Sequence, residues 1–382
     1  MASIYDGGRN LPIELIDERH RDLAIKGIDA ATARDRKAAE ARAHNVEAVA
    51  EDGRRTLRDK LGAAAVAELR AAQRAERAAF AKSLEPPKGM GVDRAKARHG
   101  YRERLDAVAK RLTIDPAAIK HGLHATNAKL DAALGVPPKV APALNTADNF
   151  ERWMALSPLH KYRLDLGVRP PLDPADPGAF QVVGPPFPSG LHRADNLASD
   201  NFRIGGDYSL SEQQGAIGNI ATLDCNDAGS FDFAQSIVDT EFIFVYQAPR
   251  AGRVEVIIDA MNLFGHDDLR FEDEWGWSEH WTQQYRYFSL NAYHPAMTNR
   301  ALASVSEFYK EGTDGSFSVR ALTPGQHYYS HLVTDGAVAA GDTFFVGVGT
   351  RSFDRSRAND VEVHSKSNFI WLVRSVEIRV VT

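Results

Sequence analysis

Apolar residues in the first third of the chain recur at helical spacing. Between Glu14 and Leu84 alanine, arginine and glutamate dominate and proline is absent, a composition that favours helix. Four apolar residues recur every fourth position on one helix face: Leu57, Leu61, Ala65 and Leu69. This stripe is narrow and rich in alanine, so it buries too little apolar surface to keep a lone helix folded in water. We therefore expect it to pack against another helix, from its own chain or from a second copy.

Two shorter helices are predicted after the first. Pro86-Pro87 ends the first helix, and a second is predicted from about Asp93 to Leu112. The segment "TIDPAAI" places Asp115 as the N-cap of a third helix, which ends near Leu134-Gly135. The first element has about 70 residues and the others about 20 each, a mismatch that argues against a compact bundle. The pattern predicts a long α-helical hairpin or coiled-coil-like, self-associating region.

From about Phe202 onward the apolar period changes to two. Segments such as "TEFIFVYQAP", "GRVEVIIDA" and "DTFFVGVGT" are rich in β-branched and aromatic residues, and turn signals such as "APRAG" and "AAGD" separate them. In the last such segment Val376, Ile378 and Val380 face one way. The pattern predicts a C-terminal antiparallel β-sandwich that is jelly-roll-like.

Proline-rich segments lie between these two parts, among them "VPPKVAPALN" and "VRPPLDPADPGAF". Proline runs favour extended, semi-rigid connections. The predicted α+β multidomain chain is therefore an α-helical hairpin or oligomerisation region at 1–135, a proline-rich linker with one short helix at 136–200, and a β-sandwich domain at 201–382.

Composition narrows the class of protein. A hydrophobic share of 43% and a charged share of 25% are ordinary for a soluble globular chain. The sequence contains no run of about 18 apolar residues, so no membrane span is expected. The N-terminus does not have the pattern of a secretion signal. We therefore expect cytoplasmic synthesis, with any exit from the cell as part of a released particle. Cys225 is the only cysteine, which excludes an intrachain disulfide and a multi-thiolate metal site.

Charge is distributed unevenly along the chain. Residues 1–135 carry roughly 26 Lys and Arg against roughly 20 Asp and Glu, a charge of roughly +6. The remainder therefore carries about −11, since the net charge of the chain is −5. The basic residues of the first part are interspersed with acidic ones, as in solvated helix pairs at i and i+4. This pattern argues against nucleic acid as a partner.

The densest candidate for chemistry is "FEDEWGWSEHW", residues 271–281, with "GHDDLRF" just before it. In an extended segment Trp275, Trp277 and Trp281 project to one face, where they could stack against sugar rings or anchor a protein partner. His280, Asp267 and Asp268 would form the polar rim of this ligand- or partner-binding candidate. The simpler interpretation, which we favour, is that these tryptophans plug the end of the sandwich or pack on the helical part.

Motifs for catalysis and cofactors do not occur. The chain has no nucleophile elbow, no H-E-x-x-H pair, no phosphate-binding loop and no dinucleotide fingerprint, so we assign no catalytic residue, cofactor or metal ligand. Carboxylates near His266 and His280 could hold a cation, but they lack the ligand spacing of a calcium loop.

Three functions remain open at this point. The leading one is a non-enzymatic structural or attachment protein, a homo-oligomer or part of a larger assembly, as in fibre, baseplate or shell components of phage-like particles. The first alternative is a lectin-like sandwich that binds a glycan. The second is an acid/base hydrolase using carboxylates among Asp267, Asp268, Glu272 and Glu274, which would require a cleft with paired carboxylates.

Overall fold

The structure of the chain is a computed structural model. It describes residues 4–10, 18–83, 94–135, 144–145, 181–226, 231–273, 279–294, 297–312, 314–319, 322–359 and 361–382.

Helices make up most of the described N-terminal region, as predicted. They are α1 (Glu18–Leu61), α2 (Ala63–Ser83), α3 (Arg94–Arg111) and α4 (Pro116–Leu134). The first predicted helix is divided at Gly62, whose φ of 83° lies in the left-handed region that glycine adopts without steric cost. None of the described helices combines the length and apolarity that crossing a bilayer requires.

The large C-terminal antiparallel β region is confirmed, and its strands form two sheets. The strands are β1 (Ile4–Asn10), β2 (Leu144–Asn145), β3 (Gln181–Val183), β4 (Ser189–Ala198), β5 (Phe202–Ser211), β6 (Ala216–Cys225), β7 (Asp232–Gln247), β8 (Gly252–Asp273), β9 (Glu279–His294), β10 (Met297–Gly312), β11 (Asp314–Val319), β12 (His327–Val338), β13 (Thr343–Asn359) and β14 (Val361–Val381). Sheet A has the order β1-β4-β7-β13-β9-β10. Sheet B has the order β2-β12-β8-β14-β6-β5, with β11 paired to β8 and β3 to β14. Strands β1, β2, β3 and β4 thus precede residue 201 and still join the sheets.

The two sheets share one apolar core. Alternate side chains of the long strands point into it, such as Phe242 and Phe288 from sheet A and Val256 from sheet B. Trp371 lies near its centre, with its ring 4.9 Å from that of Phe288 and 5.1 Å from that of Tyr328. Val376, Ile378 and Val380 also point into this core, as their alternation predicted.

The opposite face of sheet A is covered by α1 and α4. Gly27 of α1 lies so close to β9 that a Cβ there would be 2.7 Å from the carbonyl oxygen of Tyr293. Ile28 packs beside it against the ring of Tyr293, and further along α1 Val46 packs in a cluster with Leu130 of α4. The buried face of α1 is therefore covered by sheet A as well as by a helix of the same chain, and Leu57, Leu61 and Leu69 of the predicted stripe pack in the cluster of Val46 and Leu130.

Candidate functional site

The predicted site residues that the structure describes lie on different faces of the sheets. Asp267 and Asp268 are neighbours on β8, and His280 and Trp281 are neighbours on β9, so each pair points to opposite sides of its sheet. Trp275, Trp277 and Glu274 lie outside the described residues. Glu272 pairs in register with Asp314 of β11 on one side and Glu362 of β14 on the other.

Asp267 lies between the two sheets in a buried ion-pair group. Its Oδ1 accepts a hydrogen bond of 3.3 Å from Nη2 of Arg286, and Nη1 of the same guanidinium donates to Oδ1 of Asp354 at 2.9 Å. All three side chains are at least 96% buried. Burial raises the pKa of Asp267 to about 6, against the lowering effect of Arg286, and burial also raises the pKa of Asp354. Two carboxylates sharing one buried cation therefore favour uptake of a proton.

Replacing Asp267 by asparagine is expected to change how stability depends on pH. The folded state holds the Asp267 proton more tightly than the unfolded chain does, so between about pH 4 and about pH 6 stability falls as pH rises. The amide does not titrate, so the free energy of unfolding of D267N, relative to that of the wild type, should rise by about 1–3 kcal/mol between about pH 4 and about pH 6. Urea unfolding at about pH 4 and about pH 7 measures the gain, with exposed Asp268→Asn as the matched control. The same stability difference from wild type at both pH values would contradict the burial of this carboxyl.

Asp268 points out from sheet B, and its side chain is half exposed. Its Oδ1 accepts a hydrogen bond of 2.7 Å from the hydroxyl of Ser318, and its Oδ2 lies 3.2 Å from Nδ1 of His266. This is a small polar group on a strand surface. Across the described ranges, no set of three or more His, Cys, Asp or Glu side chains is arranged to hold a metal ion.

His280 lies between the sheets at the end of β9. Its ring lies 4.4 Å from that of Phe271, and its Nε2 is 2.8 Å from the hydroxyl of Thr282. Burial, followed by the nearby charge of Arg357, lowers the pKa of His280 to about 3. The imidazole is therefore neutral at physiological pH and contributes to packing and hydrogen bonding.

Trp281 points to the helical side of sheet A and joins α4 to it. Its Nε1 donates a hydrogen bond of 3.1 Å to Oδ1 of Asp131, which also accepts one of 2.8 Å from Nε of Arg357. The guanidinium of Arg355 lies 4.8 Å from the centre of the indole ring, and it donates to the carbonyl of Gly135. Only 6% of Trp281 is exposed, so in this structure the side chain packs between the strands and α4.

A second group of charged side chains lies between α1 and sheet A. We call it the arginine–carboxylate cluster, and its members are Asp35, Arg42, Arg193, Asp195, Asp239, Glu241, Arg300 and Arg351. Four guanidinium groups face four carboxylates, so the cluster is balanced in charge. Asp195 is 2.9 Å from Arg42, Asp239 is 3.1 Å from Arg351, and Glu241 is 2.7 Å from Arg193. Burial alone would raise the pKa of Asp239, and the arginines hold it below its usual range.

These pairings limit what the cluster can do chemically. The cavity beside it, about 60 Å³, is lined by carboxylates, which is the feature that an acid/base hydrolase would need. Each of these carboxylates is held by at least one arginine, and such pairing fixes the side chain. At Asp195 burial still raises the pKa, against the lowering effect of Arg42. The arrangement favours a role in docking α1 on the sheet.

A larger cavity of about 150 Å³ lies between α1, α4 and the start of β7, and we call it the helix cavity. Its apolar walls include Leu57, Ile119, Leu123 and Phe231, and Lys60 is the basic residue of its lining. Gly53 lets α1 approach the floor, since a Cβ there would lie 2.9 Å from the ring of Phe231.

The walls of the helix cavity contain unusual backbone. Thr113 and Phe231, with φ of 59° and 64°, are the two non-glycine residues of the described ranges with left-handed φ, and both line the cavity. For Thr113 this conformation is an ordinary C-terminal cap of α3, because the N–H groups of Thr113 and Ile114 donate to the carbonyl oxygens of Lys110 and Ala109. For Phe231 the left-handed conformation costs roughly 1–3 kcal/mol and persists because the surroundings hold it in place. Phe231 is held by its N–H, which donates to Asn359, and Asn359 in turn donates to Asn127 of α4 at 3.0 Å.

The arginine–carboxylate cluster was not predicted from the sequence, although the sequence contains a signal for it. Arg193 and Asp195 of β4 and Asp239 and Glu241 of β7 stand at alternate positions of their strands, and β7 is otherwise largely apolar. Alternation by two places each set on one face of its strand. Charges aligned on one face, opposite an apolar face, indicate a second covered surface whose charges are paired. The helix cavity has no comparable signal, because its walls come from segments distant in sequence.

Comparison with known proteins gives no independent assignment. No model of a known protein family matches this chain, and no curated protein matches its sequence.

Proposed function

We propose that this chain is a non-enzymatic structural or attachment protein that assembles through its helical region and contacts other molecules through its β region. In this proposal the two sheets form a β-sandwich, because one core joins their inner faces. The closer jelly-roll-like description stays a prediction. Synthesis in the cytoplasm and incorporation into a larger, phage-like particle belong to the same proposal and rest on the architecture alone.

The observation that carries the proposal is the exposed surface of α2. This helix packs against α3 and the end of α1, and it buries Val66 and Leu69. Its other side presents a ridge of exposed alanines at intervals of four residues: Ala63, Ala67, Ala71, Ala75 and Ala79. Ridges at this spacing interdigitate between helices that cross at about −50°, and small side chains allow a close approach. A thin hairpin with this surface gains stability from a second copy.

The paired carboxylates support the non-enzymatic part of the proposal. Asp267 and Asp354 share Arg286, and the carboxylates between α1 and sheet A are paired with arginines. In both places the geometry pairs the acidic residues with arginines inside the fold. This agrees with the absence of catalytic motifs in the sequence.

A measurement of mass in solution tests the assembly. We expect the particle formed by the purified chain to have a mass of at least twice the 42.0 kDa of one chain. Replacing Ala67 and Ala71 together by glutamate places like charges across a symmetric contact, which should cost about 3 kcal/mol and weaken association roughly a hundredfold. Light scattering over a range of concentrations should then show the double variant as a monomer.

The matched control introduces the same charge on α1. Ala48 is also an exposed helical alanine, so Ala48→Glu should leave the mass unchanged. A wild-type chain that is monomeric at every concentration would overturn the proposal. Dissociation caused equally by Ala48→Glu would show that the alanine ridge is not the contact.

A further inference from the structure

The helix cavity combines features that packing alone does not require. Protein interiors close apolar voids, because unfilled space forfeits contacts and lowers stability. Here about 150 Å³ stays unfilled in a cavity that is partly open to solvent, and the left-handed backbone of Phe231 stands in its wall. Two hydrogen bonds maintain this shape: the N–H of Phe231 donates to Asn359, and Asn359 donates to Asn127. Strain held in place around an open cavity is typical of a binding site.

The size and walls of the cavity define the apolar part of a ligand. A cavity of about 150 Å³ lined by Leu, Ile and Phe accommodates benzene. The helix cavity has that volume, with Leu57 of α1, Ile119 and Leu123 of α4 and Phe231 at its floor. One aromatic ring or a branched alkyl group of similar size fits this space.

Lys60 defines the polar part of the ligand. Its Nζ reaches over α4, where a Cβ at Gly122 would be only 3.2 Å away. Asp115, the acidic residue of the lining, precedes the first turn of α4, about 10 Å along the helix from Gly122 at 1.5 Å per residue. At that helix start the partial positive charge of the backbone N–H groups offsets the carboxylate. We propose that the helix cavity binds a small monocarboxylate whose apolar group occupies the cavity and whose carboxylate pairs with Lys60.

Three probes that share one ring and differ in charge test this assignment on the full-length chain. They are benzoate, benzyl alcohol and benzylammonium, each titrated while protein chemical shifts are recorded. Benzoate should bind with a dissociation constant of roughly 0.1–1 mM, as expected for a ligand of this size, with benzyl alcohol weaker and benzylammonium weakest. Failure of benzoate to bind at millimolar concentration overturns the proposal. Stronger binding of benzylammonium than of benzoate overturns the role of Lys60.

Lysine variants separate the contribution of the Lys60 charge to binding from that of the apolar walls of the helix cavity. Lys60→Met should weaken benzoate about fivefold and leave benzyl alcohol unchanged, since it removes one partly solvated ion pair. The matched control is Lys110→Met, which removes another exposed lysine, on α3. Unchanged benzoate affinity in Lys60→Met, or an equal loss in Lys110→Met, overturns the pairing.

A filling variant locates the apolar group. Leu57→Trp places an indole in the cavity and should abolish binding of both benzoate and benzyl alcohol while thermal stability is kept or raised. Retained binding in a folded Leu57→Trp protein places the ligand elsewhere and overturns the proposal. The Lys60 variant changes an exposed side chain, so its result decides the question even where the filling variant does not fold.

Discussion

Replacing Glu241 by glutamine should lower the free energy of unfolding by about 3–5 kcal/mol, the cost of leaving a buried charge without its partner. Glu241 is fully buried and accepts hydrogen bonds from Arg193 at 2.7 Å, from Tyr293 at 2.6 Å and from Asn291. Arg193 is itself only 3% exposed, and its next carboxylates are 3.5 Å and 3.9 Å away. The amide of glutamine would remove the balancing charge and place a donor among donors.

Denaturant unfolding measures this loss. Glu307 is an exposed carboxylate on β10 that accepts a hydrogen bond from Tyr285, so Glu307→Gln should change stability by less than about 0.5 kcal/mol. A loss below about 1 kcal/mol for E241Q would show that the arginine–carboxylate cluster is solvated, contrary to the burial described for it. The result bears directly on how α1 is held, because Asp35 of that helix pairs with Arg193 and Arg300.

Replacing Arg286 by methionine should also cost about 3–5 kcal/mol near neutral pH. The guanidinium serves both Asp267 and Asp354 and lies 4.0 Å from the centre of the Phe369 ring. Its removal leaves two buried carboxylates without a cation between the sheets. Both then bind protons more tightly in the folded state than in the unfolded chain.

The loss caused by Arg286→Met should therefore depend on pH. It should be largest at about pH 8, where both carboxylates are ionised, and smaller at about pH 5, where protonation neutralises them in the folded variant. Urea unfolding at the two pH values measures the change, and Arg203→Met, which alters an exposed arginine on β5, should have little effect at either. A loss that is the same at both pH values would mean that the two carboxyls do not titrate in the folded state.

Local pattern was sufficient for the helices and for the strands after residue 201, but it did not identify β1 to β4, which precede that residue. Asp115 and Pro116 mark the start of α4, and the alternation at Val376, Ile378 and Val380 identifies a strand with one buried face. These predictions held because caps and periodicity depend on neighbours a few residues apart. The break between α1 and α2 was harder to place. Gly53 stays helical because it packs closely against Phe231, whereas Gly62 adopts left-handed φ with no nearby atom to restrict it.

The roles of the candidate site residues depended on tertiary structure. Adjacent residues were separated by the pleat of their strands: Asp267 lies inside and Asp268 outside, while His280 faces sheet B and Trp281 faces α4. The partner of Trp281 is Asp131, which is 150 positions away in the chain. No local pattern specifies such a pair.

The amino-acid pattern alone thus established a helical first third and an antiparallel β region, because hydrogen bonding and side-chain alternation repeat over short distances. The tertiary structure decided which faces are covered, which carboxylates meet arginines and where the helix cavity remains open. Those features arise where α1, α4 and the long strands come together, and the free energy of a buried charge or an open cavity depends on all the surfaces that surround it.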